Sequence, residues 1–198
     1  MEHKKLDDNI APKVTGHVLI RDPDTGHIII DKKNAIHYEN ISWAIAMALA
    51  GSDDGLIYEM AFGNGGAVGD PTGALTYFPT NTTGPNSNLY NPTYSKIINR
   101  NTPTPSTGNN FIEVKHLSGT LYTDFIVTCT LEHHEPSDQA AFDMGTDDND
   151  PYIFSELGLK SYSSDGNGRL LTHIIFNPIR KALNRRIEVV YTLRIQMA

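Results

Sequence analysis

The sequence predicts a mainly β protein: a two-sheet β-sandwich of the jelly-roll kind, with one short α-helix and one long irregular loop. Several segments alternate apolar and polar residues with the period of a β-strand, and some are apolar on both faces. Pro, Gly, Asn, Thr and Ser are plentiful, which is typical of strands joined by turns. The length of 198 residues suits one domain. We expect a flexible N-terminal arm at residues 1–13 and a single β-sandwich domain at residues 14–198.

A β-hairpin is predicted at the start of this domain. The segments His17–Arg21 and His27–Asp31 are rich in apolar and β-branched residues. Between them, the sequence DPDTG at Asp22–Gly26 combines a proline that presets φ with a glycine that permits positive φ. These features favour two strands joined by a tight turn.

One amphipathic helix is predicted after the hairpin. Apolar residues recur at helical spacing over Ile41–Ala50, with Asn40 as the expected N-cap and Gly51 as the residue that ends the helix. We expect its apolar stripe to pack on the sheet. A strand at Ile57–Phe62 is predicted next, and it leads into the sequence GNGG.

The stretch from 63 to 110 is predicted to be a long irregular loop inserted in the domain. It is rich in Pro, Asn, Thr and Gly, and its apolar residues are isolated. A structureless stretch of this length is uncommon in a compact domain unless it is functional or disordered. The scattered aromatic residues favour a loop that a neighbouring subunit covers.

Further strands are predicted after the loop. Alternation resumes at Phe111, and a tight turn is expected at Asp165–Gly168. The strand Leu170–Asn177 is apolar on both faces, which indicates that it lies between two layers. Pro178 and Asn184 bracket the connection to the last strand. The other predicted strands are Tyr152–Leu159, Ile187–Gln196 and one with Leu121, Thr123, Phe125, Val127, Cys129 and Leu131 on a single face.

The glycine-rich and acidic motifs do not match known binding loops. GNGG at Gly63–Gly66 lacks the spacing of a phosphate loop and no helix follows it, so we interpret it as a turn whose glycines need positive φ. The sequence DPDTG lacks the ligand spacing of an EF-hand. Asp147–Asp150 leaves a loose structural cation site open, although a solvated acidic loop is favoured.

No set of side chains predicts catalysis. His133 and His134 are adjacent, so in a strand they would point to opposite faces. Cys129 lies on the apolar face of its strand and is interpreted as a small core residue. His173 is interpreted equally well as a residue of the sheet surface or as a base. We therefore expect no enzymatic activity, no catalytic residue, no cofactor and no bound metal.

Charge and composition argue against several classes of partner. Sixteen basic and twenty-three acidic residues give a net charge of −7, which disfavours specific nucleic-acid binding. The basic cluster Arg180, Lys181, Arg185 and Arg186 is interpreted as a solvated turn or a subunit contact. No signal peptide or membrane-spanning run is predicted. Cys129 is the only cysteine, so no disulfide forms within the chain, which fits assembly in a reducing cytoplasm.

Short motifs resemble those of a broad class of tailed-bacteriophage structural proteins. Glu156, Gly158 and Leu159 match the E-x-G-L motif of that class. Phe176–Lys181 matches its strand end of the form F-x-P-I-x-K, and Tyr191–Ile195 is similar to its closing strand of the Y-x-I-x-I kind. Nearer the N-terminus, DPDTGHIIIDKKNAIHYENISWAIAMALAG is similar to the strand-turn-strand and short helix of that class. YEMAFGNGGAVGDPTG is similar to its strand leading into a Gly-rich turn. The resemblance does not cover the loop at 63–110 with any precision.

The resemblance implies a structural component of the phage particle without catalytic residues. We expect a homo-oligomeric ring at the neck or collar, assembled in the host cytoplasm, located in the virion and contacting connector, tail or fibre proteins. The loop would be ordered largely in the assembly and would supply buried anchors, since aromatic residues dominate interface energies. The predicted inter-subunit contacts are Tyr77, Phe78, Leu89, Tyr90, Tyr94, Ile97 and Ile98.

Two other functions remain open. A tail, baseplate or fibre-associated domain that binds carbohydrate is the alternative, because Tyr, Asn and Asp in loops suit sugars. The only tryptophan, Trp43, lies in the predicted helix, which weakens that interpretation. A hydrolase is disfavoured by the lack of a recognisable pair of base and nucleophile.

Overall fold

The computed structural model describes residues 12–98, 110–136 and 152–197. The predicted mainly β class is confirmed, and so is one helix within these ranges. The described strands form one large curled antiparallel sheet of nine strands and a small sheet of two. A two-sheet jelly-roll sandwich is therefore not confirmed.

The elements of the described ranges follow in chain order. The helix α1 spans Tyr38–Leu49, and a single 3-10 turn spans Asp53–Gly55. The strands are β1 (Pro12–Arg21), β2 (Ile28–Ile36), β3 (Ile57–Gly63), β4 (Ala67–Gly69), β5 (Leu75–Tyr77), β6 (Pro92–Ile97), β7 (Asn110–His116), β8 (Tyr122–Leu131), β9 (Tyr152–Ser161), β10 (Thr172–Lys181) and β11 (Ile187–Met197).

The large sheet has the strand order β6-β3-β9-β10-β2-β1-β11-β8-β7, and β4 pairs with β5. The sheet curls so far that β6, at one edge, approaches β8, next to the other edge. This approach is seen in the hydrogen bond from the Lys96 ammonium on β6 to the Thr130 carbonyl on β8, at 2.7 Å. The inner face encloses the main core. There the ring of Phe154 contacts Phe62, Tyr152 and Phe176, with centroids 5.4, 5.5 and 5.8 Å away.

The first hairpin forms where it was predicted. β1 and β2 pair antiparallel, and Gly26 has a φ of +72°. The Asp22 carboxylate accepts hydrogen bonds from the backbone N–H groups of Asp24 and Thr25, which holds the turn. β1 begins at Pro12, so the last two residues of the predicted arm belong to the sheet. Residues 1–11 lie outside the described ranges.

The helix is longer at its N-terminus than the sequence indicated. His37, not Asn40, is the N-cap: its Nδ1 accepts a hydrogen bond from the Asn40 N–H at 3.2 Å. The prediction failed because Ser, Thr, Asp and Asn are the usual caps and an imidazole nitrogen is not. Gly51, with a φ of +80°, follows the C-terminus as predicted.

β10 continues through Pro178, which was wrongly predicted to begin the connection to the last strand. The pairing with β9 shifts register between Ile175 and Ile179. A proline is tolerated at such a bulge because no ladder hydrogen bond needs its missing N–H.

Only Arg180 of the basic cluster is exposed to solvent, and it lies on β10 rather than in a turn. Lys181 is fully buried, and its ammonium donates to the carbonyls of Glu132, Glu135 and Ala182 at 2.8 to 3.1 Å. Burial lowers the pKa of Lys181 to about 8. Arg185 and Arg186 form ion pairs with Asp22 and Asp24 in the first hairpin turn. These pairs fasten the β1–β2 turn to the β10–β11 connection.

The long strand β8 confirms the predicted inward face only in its C-terminal half, because Leu121 precedes the strand and is 71% exposed. Val127, Cys129 and Leu131 are fully buried in the main core. Burial raises the pKa of the Cys129 thiol to about 12, so this side chain is a small core residue rather than a nucleophile, as predicted.

Candidate interaction surface

The outer face of β3, β9 and β10 is covered by residues 64–91, here called the clamped segment. This segment is part of the stretch 63–110, which was predicted to be an irregular loop ordered largely in the assembly. The strands β4, β5 and β6 lie in that stretch, and its residues 99–109 lie outside the described ranges. In the single chain the clamped segment runs through the small sheet β4–β5 and back across the large sheet. Under it, Ala61, Leu89 and Leu170 form a satellite core separate from the main one.

A fully buried carboxylate, that of Glu156 on β9, holds the clamped segment in place. Its Oε1 accepts hydrogen bonds from the backbone N–H groups of Gly65 and Asn91 at 3.0 and 2.9 Å. Its Oε2 accepts from the Tyr90 N–H at 3.0 Å and lies 2.9 Å from His173 Nε2. The two ends of the segment are therefore joined through one side chain of the sheet.

The fourth partner, His173 on β10, is fixed in one tautomer by its own contacts. Its Nδ1 accepts a hydrogen bond from the backbone N–H of Asn81 at 2.8 Å, so this nitrogen carries no proton. Nε2 must then carry the proton that it donates to Glu156. The contact is a hydrogen bond from a neutral imidazole to a carboxylate. His173 is fully buried, which excludes the predicted surface position.

The hydrogen bonds keep the Glu156 carboxyl ionised although it is buried. Burial disfavours the charged form, but the bonds from His173 and from the N–H groups of Asn91 and Tyr90 outweigh it. The pKa of Glu156 therefore lies below its ordinary value. Losing one donor would leave part of a buried charge without a partner, which is costly.

The GNGG sequence provides room for this arrangement. The predicted positive φ is wrong for these glycines, because none of them is among the described residues with positive φ. A Cβ on Gly63 would lie 2.6 Å from Glu156 Oε1, and a Cβ on Gly65 would lie 2.7 Å from the Asn91 nitrogen. Gly66 packs against Ile175 and Glu156 in the same way. Glycine is needed here for close approach of the backbone to the carboxylate.

A second buried histidine holds the far bend of the clamped segment. His37 Nε2 donates to the Gly84 carbonyl at 2.8 Å, while its Nδ1 caps α1. The His37 N–H itself donates to the Leu171 carbonyl at 3.0 Å. The segment is thus attached to the sheet at Glu156 and His173 and to the helix at His37.

The clamped segment presents an exposed apolar surface, here called the hairpin patch. It consists of large apolar side chains that are 41 to 53% exposed: Val68, Leu75, Tyr77, Phe78 and Tyr90. Pairing of Ala67 with Tyr77 places Leu75 and Tyr77 on one face of the β4–β5 hairpin and Val68 on the other. The Phe78 and Tyr90 rings lie 5.2 Å apart, and the Tyr77 hydroxyl bonds to Asn177. The small hairpin is therefore apolar on both faces.

The predicted contact residues divide into three groups. Tyr77, Phe78 and Tyr90 belong to the hairpin patch. Ile97 is exposed on β6, and Tyr94, half-buried on the same strand, packs against Phe62 with ring centroids 6.1 Å apart. Leu89 and Ile98 are only 4% and 1% exposed, because this chain's own core covers them. Their assignment as contacts with a neighbour stays a prediction that would require them to leave that core.

Sequence reasoning missed the roles of Glu156, His173 and His37. A glutamate in a largely apolar strand, and a histidine in a strand with two apolar faces, were signals of buried polar groups that need partners. Their partners are backbone N–H groups and carbonyls, which carry no side-chain pattern. The sequence alone did not reveal which loop meets them.

In the described ranges, neither a cluster of metal-ligating side chains nor a membrane-spanning helix is present. There, no group of three or more His, Cys, Asp or Glu side chains is placed to hold a metal ion. The acidic stretch Asp147–Asp150 lies outside the described residues. Among residues 12–98, 110–136 and 152–197, no helix has both the length and the apolar character needed to cross a bilayer.

Comparison of the chain with protein-family models, with curated proteins and with solved structures found no match.

Glu156 and its four hydrogen-bond donors are here called the clamp. Replacing the Glu156 carboxylate should loosen the clamped segment more than the rest of the fold. Glu156→Gln replaces one accepting carboxylate oxygen with an NH₂ group, which cannot accept hydrogen bonds from the backbone N–H groups. The loss should lower the local stability by about 1–3 kcal/mol. Hydrogen exchange should speed up at Tyr90 and Asn91 and across residues 64–91, with little change in β11. Glu113→Gln is the control, because Glu113 pairs at 3.2 Å with an exposed lysine, Lys115. Equal exchange in both variants would refute the clamp.

Acid should release the same segment. The pKa of Glu156 is lower in the folded protein than its ordinary value of about 4.3. The carboxylate therefore stabilises the fold fully at pH values above about 4.3. This stabilisation is lost as the pH falls through the folded pKa. After correction for intrinsic exchange rates, protection of residues 64–91 should differ between wild type and Glu156→Gln at neutral pH. The difference should begin to shrink as the pH falls below about 4.3 and should continue to shrink as the pH falls through the folded pKa. A difference that stays constant down to pH 3 would contradict the assignment.

Proposed function

We propose that this protein is a structural subunit of a tailed-phage particle and assembles into a homo-oligomeric ring. The observation that carries the proposal is the hairpin patch, an apolar surface held on a rigid base. An exposed patch of this kind, anchored by a buried hydrogen-bond network, suits a permanent contact with another protein. The curled sheet behind it supplies the stiffness that a ring subunit needs.

The position in the particle rests on the resemblance to phage structural proteins. That class includes neck, collar, tail and baseplate components, and the neck or collar is the position proposed here. The partners are then other copies of the chain and adjoining connector, tail or fibre proteins. Because DNA is also negatively charged, the net charge of −7 suits a component of the particle that DNA passes without binding to it.

Carbohydrate binding is the second candidate, and a polar cleft favours it. Two adjoining cavities of about 300 and 270 Å³ lie beside the β9–β10 turn and share Asn167, Gly168 and Arg169. Amide and hydroxyl groups suit the hydroxyl groups of a sugar. Trp43 lines one cavity, but the Arg169 guanidinium lies 4.1 Å from the centre of its ring and occupies one face. Specific binding on a glycan array, abolished by Asn167→Ala, would favour this candidate over the ring.

The purified protein should form closed rings of one symmetry, visible by negative-stain electron microscopy. Leu75→Asp should shift the protein to smaller species in mass photometry, because a charge would be buried at the contact. Leu75→Met, which keeps an apolar side chain at the same position, should still form rings. A wild-type protein that stays monomeric at every concentration would contradict the proposed function.

A further inference from the structure

An open apolar groove lies beneath α1, at the other end of β3 from the clamp. It is lined by one face of the helix, by Ile57 and by inward residues of the sheet such as Phe125 and Ile195. Its volume is about 320 Å³, and none of its lining residues carries a charge. Leu49, on its rim, is 85% exposed. A groove of this composition disfavours any occupant that brings an unpaired charge.

The groove and the hairpin patch lie near opposite ends of β3. Ile57, which lines the groove, is the first residue of β3, and Gly63, where the chain turns towards the hairpin, is the last. Six strand steps of about 3.3 Å separate these residues by about 20 Å. Two complementary surfaces at opposite ends of a subunit produce a head-to-tail contact, which closes into a ring if the rotation permits.

The two surfaces share the same chemistry, because both are apolar and uncharged. The five side chains of the hairpin patch carry no charge, like the residues that line the groove. With a full aromatic side chain offering about 150–250 Å², the half-exposed patch presents roughly 300–450 Å² of surface. This is about half of the roughly 800 Å² that each partner buries in a standard interface. The flanking turns of the clamped segment can provide the polar rim.

We propose that, in the ring, the α1 groove of one copy receives the hairpin patch of the next copy. The occupant is thus a second copy of this chain, bound in one direction around the ring. This inference rests on the proposed ring assembly and names its two contact surfaces. It also gives the clamp its part in assembly, because the Glu156 network holds the patch in the position that the neighbouring groove requires.

A photoreactive probe in the groove tests the proposal in the full-length protein. Ala48 lines the groove and is exposed, so Ala48→Cys can be labelled with a benzophenone maleimide. Wild-type protein is the labelling control, since Cys129 is buried. Irradiation of a mixture of ¹⁵N-labelled and unlabelled protein should give products between copies, attached to peptides from residues 64–91.

Each other outcome of this experiment counts against the proposal. Products within one copy, including those with residues 1–11, would assign the groove to the chain itself. Products between two copies of α1 would indicate a symmetric contact. Either result in a protein that still forms rings overturns the groove assignment and leaves the proposed function standing. A protein that neither forms rings nor gives products between copies overturns both.

A matched pair of helix variants provides a second measurement. Ala48→Asp places a charge in the groove, whereas Ala46→Asp makes the same change at an exposed helix position that does not line it. Ala48→Asp should weaken association by about tenfold or more, because burying an unpaired charge is costly, and Ala46→Asp should weaken it by less than about threefold. Equal effects on association, measured by analytical ultracentrifugation, would overturn the proposal.

Discussion

A carboxylate that is withdrawn from water needs hydrogen-bond donors, and the outer face of this sheet is organised around one such group. The Glu156 carboxylate is fully buried and lies within 3.0 Å of four donors. Three of these are backbone N–H groups of the clamped segment. The segment cannot leave the sheet without exposing the charge to water or leaving it without donors, and local opening is therefore costly. Asn81 extends the network, because its N–H fixes the tautomer of His173.

This network explains how a very small hairpin can expose apolar side chains on both faces. β4 and β5 have three residues each, and a two-stranded hairpin of that size is marginal in water on its own. Here both flanks of the hairpin are tied to Glu156, at Gly65 on one side and at Tyr90 and Asn91 on the other. A surface that is already rigid loses little conformational freedom on binding, which favours a stable contact between subunits. The groove beneath α1 gives that contact its proposed direction.

The sequence predicted much of the secondary structure because alternation reports directly which side chains point inwards. It identified the first hairpin, the buried C-terminal half of β8 and the core position of Cys129. Alternation does not report which strands pair or how strongly a sheet curls, and the single curled sheet was therefore expected to be a sandwich. Long-range pairings such as β3 with β9 join residues far apart in the chain.

The candidate site was harder to predict, because its chemistry depends on the backbone. Glu156 and His173 are 17 residues apart, and three of the donors to Glu156 come from N–H groups that any residue other than proline has. The GNGG glycines were expected to need positive φ, whereas close approach to the carboxylate requires them. Lys181 is another example, since its burial depends on three carbonyl groups.

The tautomer of His173 tests the clamp most directly. Long-range ¹H–¹⁵N correlation spectra of the full-length protein at neutral pH report which imidazole nitrogen carries the proton. The account predicts a neutral ring with the proton on Nε2 and a hydrogen-bonded, unprotonated Nδ1. A proton on Nδ1, or the averaged signals of an imidazole that exchanges freely with solvent, would contradict it.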